Sequence, residues 1–316
     1  MKRLLTVMLL ASAAISTAQA QQAAPADAAP AGTAQAAKPW QDRIFATADG
    51  TKLHYVEMGS GTPVILIHGA GGSAVGNWFA NGFATELART NRVIGIDMRS
   101  HGTSERGPGD GRSKMPRDVL DFMRQQGIER AHIGGFSMGG AVTLSLLASN
   151  PEKFITAHFG GSGIGEVTAW RDRVPADKTG EAPMEAKARE AYYRIQRDRL
   201  AARGEEIGNA RSATGAPPAT GFSMTETDRA RMESERQALL ERLDLSKVKF
   251  PVLAVNGDYD RPFAKTHRMW RELPNFTNLV LPGYGHLSAV MQGFVPASYI
   301  KTLGDFVRVN NPPDNR

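Results

Sequence analysis

No cysteine occurs among the 316 residues, and that absence closes several routes at once. The chain has no disulfide to staple it, no thiolate to hold a metal and no thiol to act as nucleophile. Its fold must rest on its own buried surface, which a chain of this length can supply. Charge of one sign is not concentrated either. The formal net charge is +6, two fewer without Lys2 and Arg3. The basic residues are interleaved with acids rather than gathered in blocks, so the charge pattern argues against a nucleic-acid partner. A long hydrophobic run is missing too: the apolar stretch from Leu4 to Ile15 is too short to cross a bilayer comfortably.

What stands at that end has the layout of an export signal. Met1-Lys2-Arg3 is basic, Leu4 to Ile15 is apolar, and Ala18-Gln19-Ala20 gives the small-x-small pattern that a signal peptidase cuts. Residues 1–20 are therefore expected to be removed, leaving a periplasmic or secreted chain that starts at Gln21; retention as an N-terminal anchor is the alternative. Without a cysteine beside the cut, lipoprotein anchoring is excluded. Residues 21–39, "QQAAPADAAPAGTAQAAKP", offer almost nothing to bury and read as a disordered linker.

From Trp40 onward, strand-like apolar runs alternate with helix-length segments. Strands are expected at Thr51 to Glu57, Pro63 to Ile67, Arg92 to Ile96, Ala131 to Gly134, Phe154 to Phe159, Val252 to Val255 and Asn278 to Leu281. Helices are expected at Phe79 to Thr90, Pro116 to Gln126, Gly139 to Ser149 and Pro262 to Leu273, with a last one from Ala289 to Val309 broken or restarted at Pro296. Such alternation implies an α/β fold, a mostly parallel sheet with helices on both faces. The rhythm breaks between residues 166 and 244. There, two charged helix-length stretches flank "GNARSATGAPPATG". This segment is expected to be a helical cap inserted into a core made of residues 40–165 and 245–316. Simple solvated helices are the alternative, since its aromatics are too sparse to read as a pocket lining.

Chemistry concentrates in the strand-ending loops. "HIGGFSMGGAV", residues 132–142, places a Gly-x-Ser-x-Gly between a strand and an apolar-faced helix. In a chain with 33 glycines the short pattern alone means little. The strand–turn–helix setting is what a nucleophile elbow requires, with glycines clearing space around a strained serine. Ser137 is thus the candidate nucleophile, and it needs a base and an orienting acid. His286, in "PGYGH" after a late strand, is the only one of seven histidines so placed. In "NGDYDRP", Asp260 is the candidate acid, ahead of Asp258 and of Glu166. His54, His132 and His158 fall within strand patterns and His267 on a helix, where packing or surface roles are expected. An oxyanion needs two preorganised donors. The Met138 N–H, first in the helix after Ser137, would be one. The other would come from "HGAGGS", residues 68–73, with Ala70 first choice, Gly71 second, and His68 buttressing the turn.

The same loop also matches a dinucleotide fingerprint, Gly69-x-Gly71-x-x-Ala74 with Asp97 ending the next strand. That reading would leave Ser137, Asp260 and His286 unexplained.

The pieces "LIHGAGGS", "VIGIDMRSHGTS", "AHIGGFSMGGAV", "NPEKF", "VNGDYDRP" and "PGYGHL", in this order, resemble the α/β-hydrolase-fold serine hydrolases over nearly all of Trp40 to Arg316 outside the cap. The resemblance implies an eight-stranded sheet, a triad of Ser137, Asp260 and His286, and neither cofactor nor metal. It gives Asp97, Arg99, His101 and Ser104 structural roles in a D-x-R-G-H-G-x-S loop, where Ser100 here replaces the first glycine. A serine nucleophile argues against the epoxide-opening and dehalogenating relatives, which carry Asp. The expected activity is hydrolysis of a small uncharged carboxylic ester. C–C bond hydrolysis, cofactor-free perhydrolysis or non-catalytic ligand binding on the same fold are the alternatives.

Intact-mass measurement of the protein recovered from the periplasm or medium of an expressing bacterium is expected to give a chain beginning at Gln21. A species retaining Met1 in the membrane fraction would instead show the leader to be an anchor.

Overall fold

The computed structural model describes residues 38–108, 111–202 and 226–313. The leader, nearly all of the expected linker and the Gly/Pro/Ala loop between the two charged stretches lie outside the described residues. The eight strands are β1 (Gln41–Ala46), β2 (Lys52–Met58), β3 (Thr62–Ile67), β4 (Asn91–Ile96), β5 (Ala131–Phe136), β6 (Phe154–Gly160), β7 (Val252–Gly257) and β8 (Phe276–Leu281). They form one sheet in the order β1-β2-β4-β3-β5-β6-β7-β8. Only the β1–β2 and β2–β4 pairs are antiparallel; from β4 to β8 the sheet is parallel.

Alternation along the central strands divides the core in two, since neighbouring side chains leave a strand on opposite faces. Ile65 and Ile67 of β3 join Ile94, Ile96, Ile133 and Phe154 under α2 (Gly111–Gln125) and α3 (Met138–Ser149). Val64 and Leu66 join Val93, Leu253 and Val255 on the other face, under α1 (Phe83–Leu87) and, late in the chain, α7 (Ala297–Val309). The insertion between β6 and β7 holds α4 (Glu185–Ala202) and α5 (Glu226–Arg242), and α6 (Pro262–Glu272) follows β7. Among the described residues no helix is long and apolar enough to cross a membrane.

Two expectations need correction. The helix expected from Phe79 to Thr90 is two short pieces, a wide turn at Val75–Phe79 and α1, separated at Gly82, which takes φ +96°. Strand β1 supplies the eighth strand that the resemblance implies, at a place where the apolar pattern predicts none. Of its residues only Phe45 is buried, and Ile44 is 68% exposed, so the apolar signal of an edge strand is nearly absent.

The Asp97–Ser104 loop ties the antiparallel edge to the parallel body. Arg99 is buried and grips Asp118 of α2 through two hydrogen bonds, of 2.6 and 2.7 Å, while also donating to Thr51 Oγ1 at 2.8 Å. Ser100, where the resemblance leads one to expect glycine, keeps the turn by adopting φ +65° itself, a strained conformation for a residue with a side chain. Replacing Arg99 with Met would leave the Asp118 carboxylate buried without its cation. The expected loss of stability is about 3 to 5 kcal/mol, read as a shift in the denaturant midpoint; a loss below about 1 kcal/mol would show that the pair does not brace this loop.

Candidate active site

Ser137 sits between the end of β5 and the start of α3 with φ +53° and ψ −106°, a backbone state that costs of order 1–3 kcal/mol unless its surroundings enforce it. Close packing enforces it here. A Cβ on Gly135 would run into the Gly139 backbone, and one on Gly139 into the Ile67 carbonyl. The Ser137 N–H is held by the Gly160 carbonyl at 2.8 Å. Strand, turn and helix therefore meet at a distance that only glycine allows, and the serine hydroxyl is pushed out at the sheet's C-terminal edge.

The loop after β8 brings His286 to it. His286 Nε2 lies 3.0 Å from Ser137 Oγ, and Nδ1 lies 2.8 Å from Asp260 Oδ2. A carboxylate on Nδ1 fixes the tautomer, so that Nδ1–H donates and Nε2 is left to accept from the hydroxyl. The other oxygen of Asp260 meets Lys265 Nζ at 2.5 Å. Burial works against the Asp260 charge, but the hydrogen bond from His286 and the Lys265 ammonium outweigh it and hold the carboxyl below its ordinary value. The three residues named from sequence are thus within hydrogen-bonding reach of one another.

Every weaker candidate is committed elsewhere. Asp258 Oδ1 accepts from the Gly283 N–H at 2.9 Å, and its Oδ2 pairs with Lys178 at 2.5 Å. Glu166 is buried against His267 Nδ1 at 2.8 Å and Arg271 at 2.7 Å. Burial pushes His158 down to about 3 and His132 down to about 4, leaving both neutral. His158 bonds the Tyr299 hydroxyl and His132 bonds Thr156. His54 is raised by its hydrogen bond to Asp97. Asp97 itself is buried and accepts from the Ala74 and Thr103 N–H groups as well, so it has no free oxygen for a ribose. The dinucleotide reading has no acid to use.

The oxyanion loop is built with equal economy. His68 is fully buried; its Nδ1–H donates to the Gly69 carbonyl at 2.7 Å and its Nε2 accepts from the Met98 N–H at 3.0 Å. Asn77 Oδ1 accepts from the Gly69 N–H at 2.7 Å, and the Gly72 N–H turns back onto the Gly69 carbonyl at 3.0 Å. Asn81 in turn holds Asn77, donating to its carbonyl at 2.7 Å. Among the described residues the Ala70 N–H donates to no other group, and the Met138 N–H, at the first position of α3, has no acceptor within its helix. Gly71 takes φ +71°, and a Cβ there would strike the Tyr192 hydroxyl.

That contact comes from α4. Tyr192 donates to the Ala70 carbonyl at 2.9 Å, Arg199 donates to the Gly71 carbonyl at 3.1 Å, and Gln196 also reaches Gly71. At the helix start, Glu185 accepts from the Leu287 and Ser288 N–H groups at 2.7 and 3.0 Å. Beneath α4 lies a cavity of about 400 Å³ that opens on Ser137 and His286, with Tyr192, Tyr193, Ile195, Phe136, Val290 and Met291 in its wall. The expectation that the insertion is too poor in aromatics to line a pocket is therefore overturned: two adjacent tyrosines suffice. Glu185 and Lys265 carried no motif signal, whereas Asn77 stands in "GNWFANGFATEL", a stretch that follows the turn in esterase-like and C–C-bond hydrolase relatives. Glu185 sits in a charged helical run that reads as solvated, and Lys265 looks like any lysine on an amphipathic helix.

Comparison with known proteins agrees with this fold. The chain is 37% identical over 155 residues to the dihydrolipoyllysine-residue acetyltransferase component of an acetoin cleaving system from Cupriavidus necator, covering 47% of this chain and 39% of the relative. It is 38% identical over 114 residues to a 2-hydroxymuconate semialdehyde hydrolase of Pseudomonas putida, covering 34% and 39%. It is 34% identical over 87 residues to Esterase YbfF of Escherichia coli, covering 28% and 33%. The chain thus spans at most about two-fifths of the length of these relatives. Among solved structures, a meta-cleavage product hydrolase from Pseudomonas fluorescens superposes with TM-score 0.60 at 21% identity, covering 86% of this chain and 98% of the other. A thermophilic esterase from Thermogutta terrifontis superposes with TM-score 0.55 at 19% identity, covering 86% and 100%; at such identities these two show the fold alone. A family model for the alpha/beta hydrolase fold matches residues 62–290, a span that holds the elbow, the oxyanion loop, Asp260 and His286, and the chain belongs to that family.

Proposed function

We propose that this protein is a serine hydrolase that cleaves small uncharged carboxylic esters through an acyl-enzyme. The observation that carries the reading is the line Ser137 Oγ–His286 Nε2 at 3.0 Å and His286 Nδ1–Asp260 Oδ2 at 2.8 Å, ending at a cavity of about 400 Å³. As Ser137 Oγ attacks the carbonyl, its proton passes to His286 Nε2, and Asp260 stabilises the imidazolium without taking the proton. Negative charge develops on the former carbonyl oxygen. The Met138 and Ala70 N–H groups are the donors assigned to it, with Gly71 as the second choice for the latter. His286 then protonates the leaving alcohol. Water entering the vacated space gives its proton to Nε2, attacks the acyl carbon and releases the acid, restoring Ser137.

The cavity wall supports a short, mostly apolar acyl group. The Glu185 carboxylate is saturated by the Leu287 and Ser288 N–H groups and the Ser288 hydroxyl, so it offers no site to a substrate cation. The leader-like N-terminus supports action outside the cytoplasm.

A second reading, cleavage of a C–C bond beside a carbonyl, is favoured by one observation: one of the relatives named above is a 2-hydroxymuconate semialdehyde hydrolase. The two readings share Ser137 and His286 and differ in the leaving group.

Wild-type protein is expected to turn over p-nitrophenyl acetate or butyrate, and Ser137→Ala to lower kcat by about four orders of magnitude or more. A fluorophosphonate probe should label wild type and not Ser137→Ala; an unlabelled, folded wild type would favour a binding protein. Asp260→Asn should retain the fold and lose most of kcat, about 10⁴-fold. A panel of esters of increasing acyl length, run beside a vinylogous 1,5-diketone acid, separates the two readings by which substrate class gives the higher kcat/KM.

A further inference from the structure

The Asp260 carboxylate has two partners, and the mechanism uses only one. Lys265, one turn into α6, places Nζ 2.5 Å from the outer oxygen of Asp260 and 3.1 Å from the Gly161 carbonyl. Its side chain is 19% exposed. Gly161 in turn backs the catalytic line: at φ +55°, a Cβ there would lie 3.1 Å from His286 Cε1 and 2.6 Å from the Phe136 ring. One ammonium thus ties the acid to the segment against which the imidazole rests.

We propose that Lys265 is a positioning residue that acts through Asp260 to lower the pH range over which His286 serves as base. This rests on the esterase reading above. A cation on the far oxygen draws carboxylate charge away from His286 and repels the positive charge the imidazole would gain. Both effects disfavour the imidazolium. The remaining carboxylates around the pair have partners of their own, and Asp177 also acts on Lys265 by its charge. Glu185 of α4 is held by the Leu287 and Ser288 N–H groups. Asp177 caps the first turn of α6, accepting from the Phe263 and Ala264 N–H groups at 2.7 and 3.0 Å. Asp258 is paired with Lys178. Arg261 is the neighbouring cation, and it acts on Lys265 in the same sense as burial does, which pushes the lysine below its ordinary value against the pull of Asp260. Lys265 is therefore the one cation bonded to the acid itself among the described residues.

The arrangement separates two tasks. A triad acid with a free outer oxygen gives its full charge to the histidine, which makes the imidazole a stronger base and keeps it protonated to higher pH. Sharing that charge leaves the hydrogen bond and its orientation intact while extending the active range toward acid. Base strength is given up for availability.

The test is the pH dependence of fluorophosphonate inactivation and of kcat/KM for p-nitrophenyl acetate in wild type, Lys265→Met, Lys265→Gln and Lys265→Arg. In Lys265→Met the acid limb should move up by about one pH unit, in both readouts. Lys265→Gln should move it in the same direction, and Lys265→Arg should return it toward wild type. Lys265→Gln, which keeps a donor for Asp260 or Gly161, decides the matter if the Met variant does not fold. A limb unmoved in a folded, active neutral variant, or one moved equally by Arg, would overturn the proposal. Loss of the whole ester activity reading would show elsewhere, as inactivation that survives Ser137→Ala.

Discussion

The unfavourable backbone of Ser137 is the constraint on which the rest of this structure is organised. A serine at φ +53° stays there only if strand β5 and helix α3 are pressed together around it, which requires side chains to be absent on both sides. Gly135 and Gly139 meet that demand toward each other and toward β3. The consequence reaches beyond the turn. Because α3 packs against the Ile67 and His68 carbonyls at the end of β3, the loop that leaves β3 lies beside the turn, and Gly69 to Ser73 share one cavity with Ser137. Strain at one residue is thus bound up with the packing of the turn, of α3 and of the loop after β3.

Carboxylates do the rest of the positioning, and each is spent on backbone. Asp97 accepts the Ala74 and Thr103 N–H groups, holding the oxyanion loop against the β4 turn. Asp258 accepts the Gly283 N–H and so laces the loop that carries Asp260 to the loop that carries His286. That lacing is reinforced by main-chain bonds from Tyr259 to Tyr284 and from Asp258 to Leu281, both 3.1 Å. Gly257 permits it, since any Cβ there would collide with the Tyr284 backbone. Hydrogen bonds from backbone N–H to a buried carboxylate are strong and directional, which is what a site assembled from three separate loops needs.

These facts explain which parts could be read from sequence. The central strands β3 to β7 announce themselves because parallel strands are buried on both faces and leave unbroken apolar runs; β1, almost wholly exposed, does not. Ser137, Asp260 and His286 were legible because chain order and loop position constrain them, and the choice of Asp260 over Asp258 followed the same pattern that the structure now explains by the Gly283 bond. Lys265 and Glu185 were illegible for the opposite reason. Each lies on an amphipathic helix where a charge is expected on the outer face, and only the tertiary arrangement turns it inward. The tyrosines of α4 were missed because a lining needs few residues when the cavity is small.

Helix α4 joins the two halves of the site. Its Tyr192, Gln196 and Arg199 bond carbonyls of the oxyanion loop, while its first residue, Glu185, holds the N–H groups just after His286. Donor loop and base loop come from opposite ends of the chain and share no main-chain bond with each other among the described residues. Their common attachment to one helix makes the roof of the cavity part of the geometry of the candidate site. An α4 displaced as a rigid rod would loosen the carbonyl side of Ala70 and Gly71 and the loop of His286 together, so the cavity wall formed by Tyr192 and Tyr193 is physically coupled to both loops.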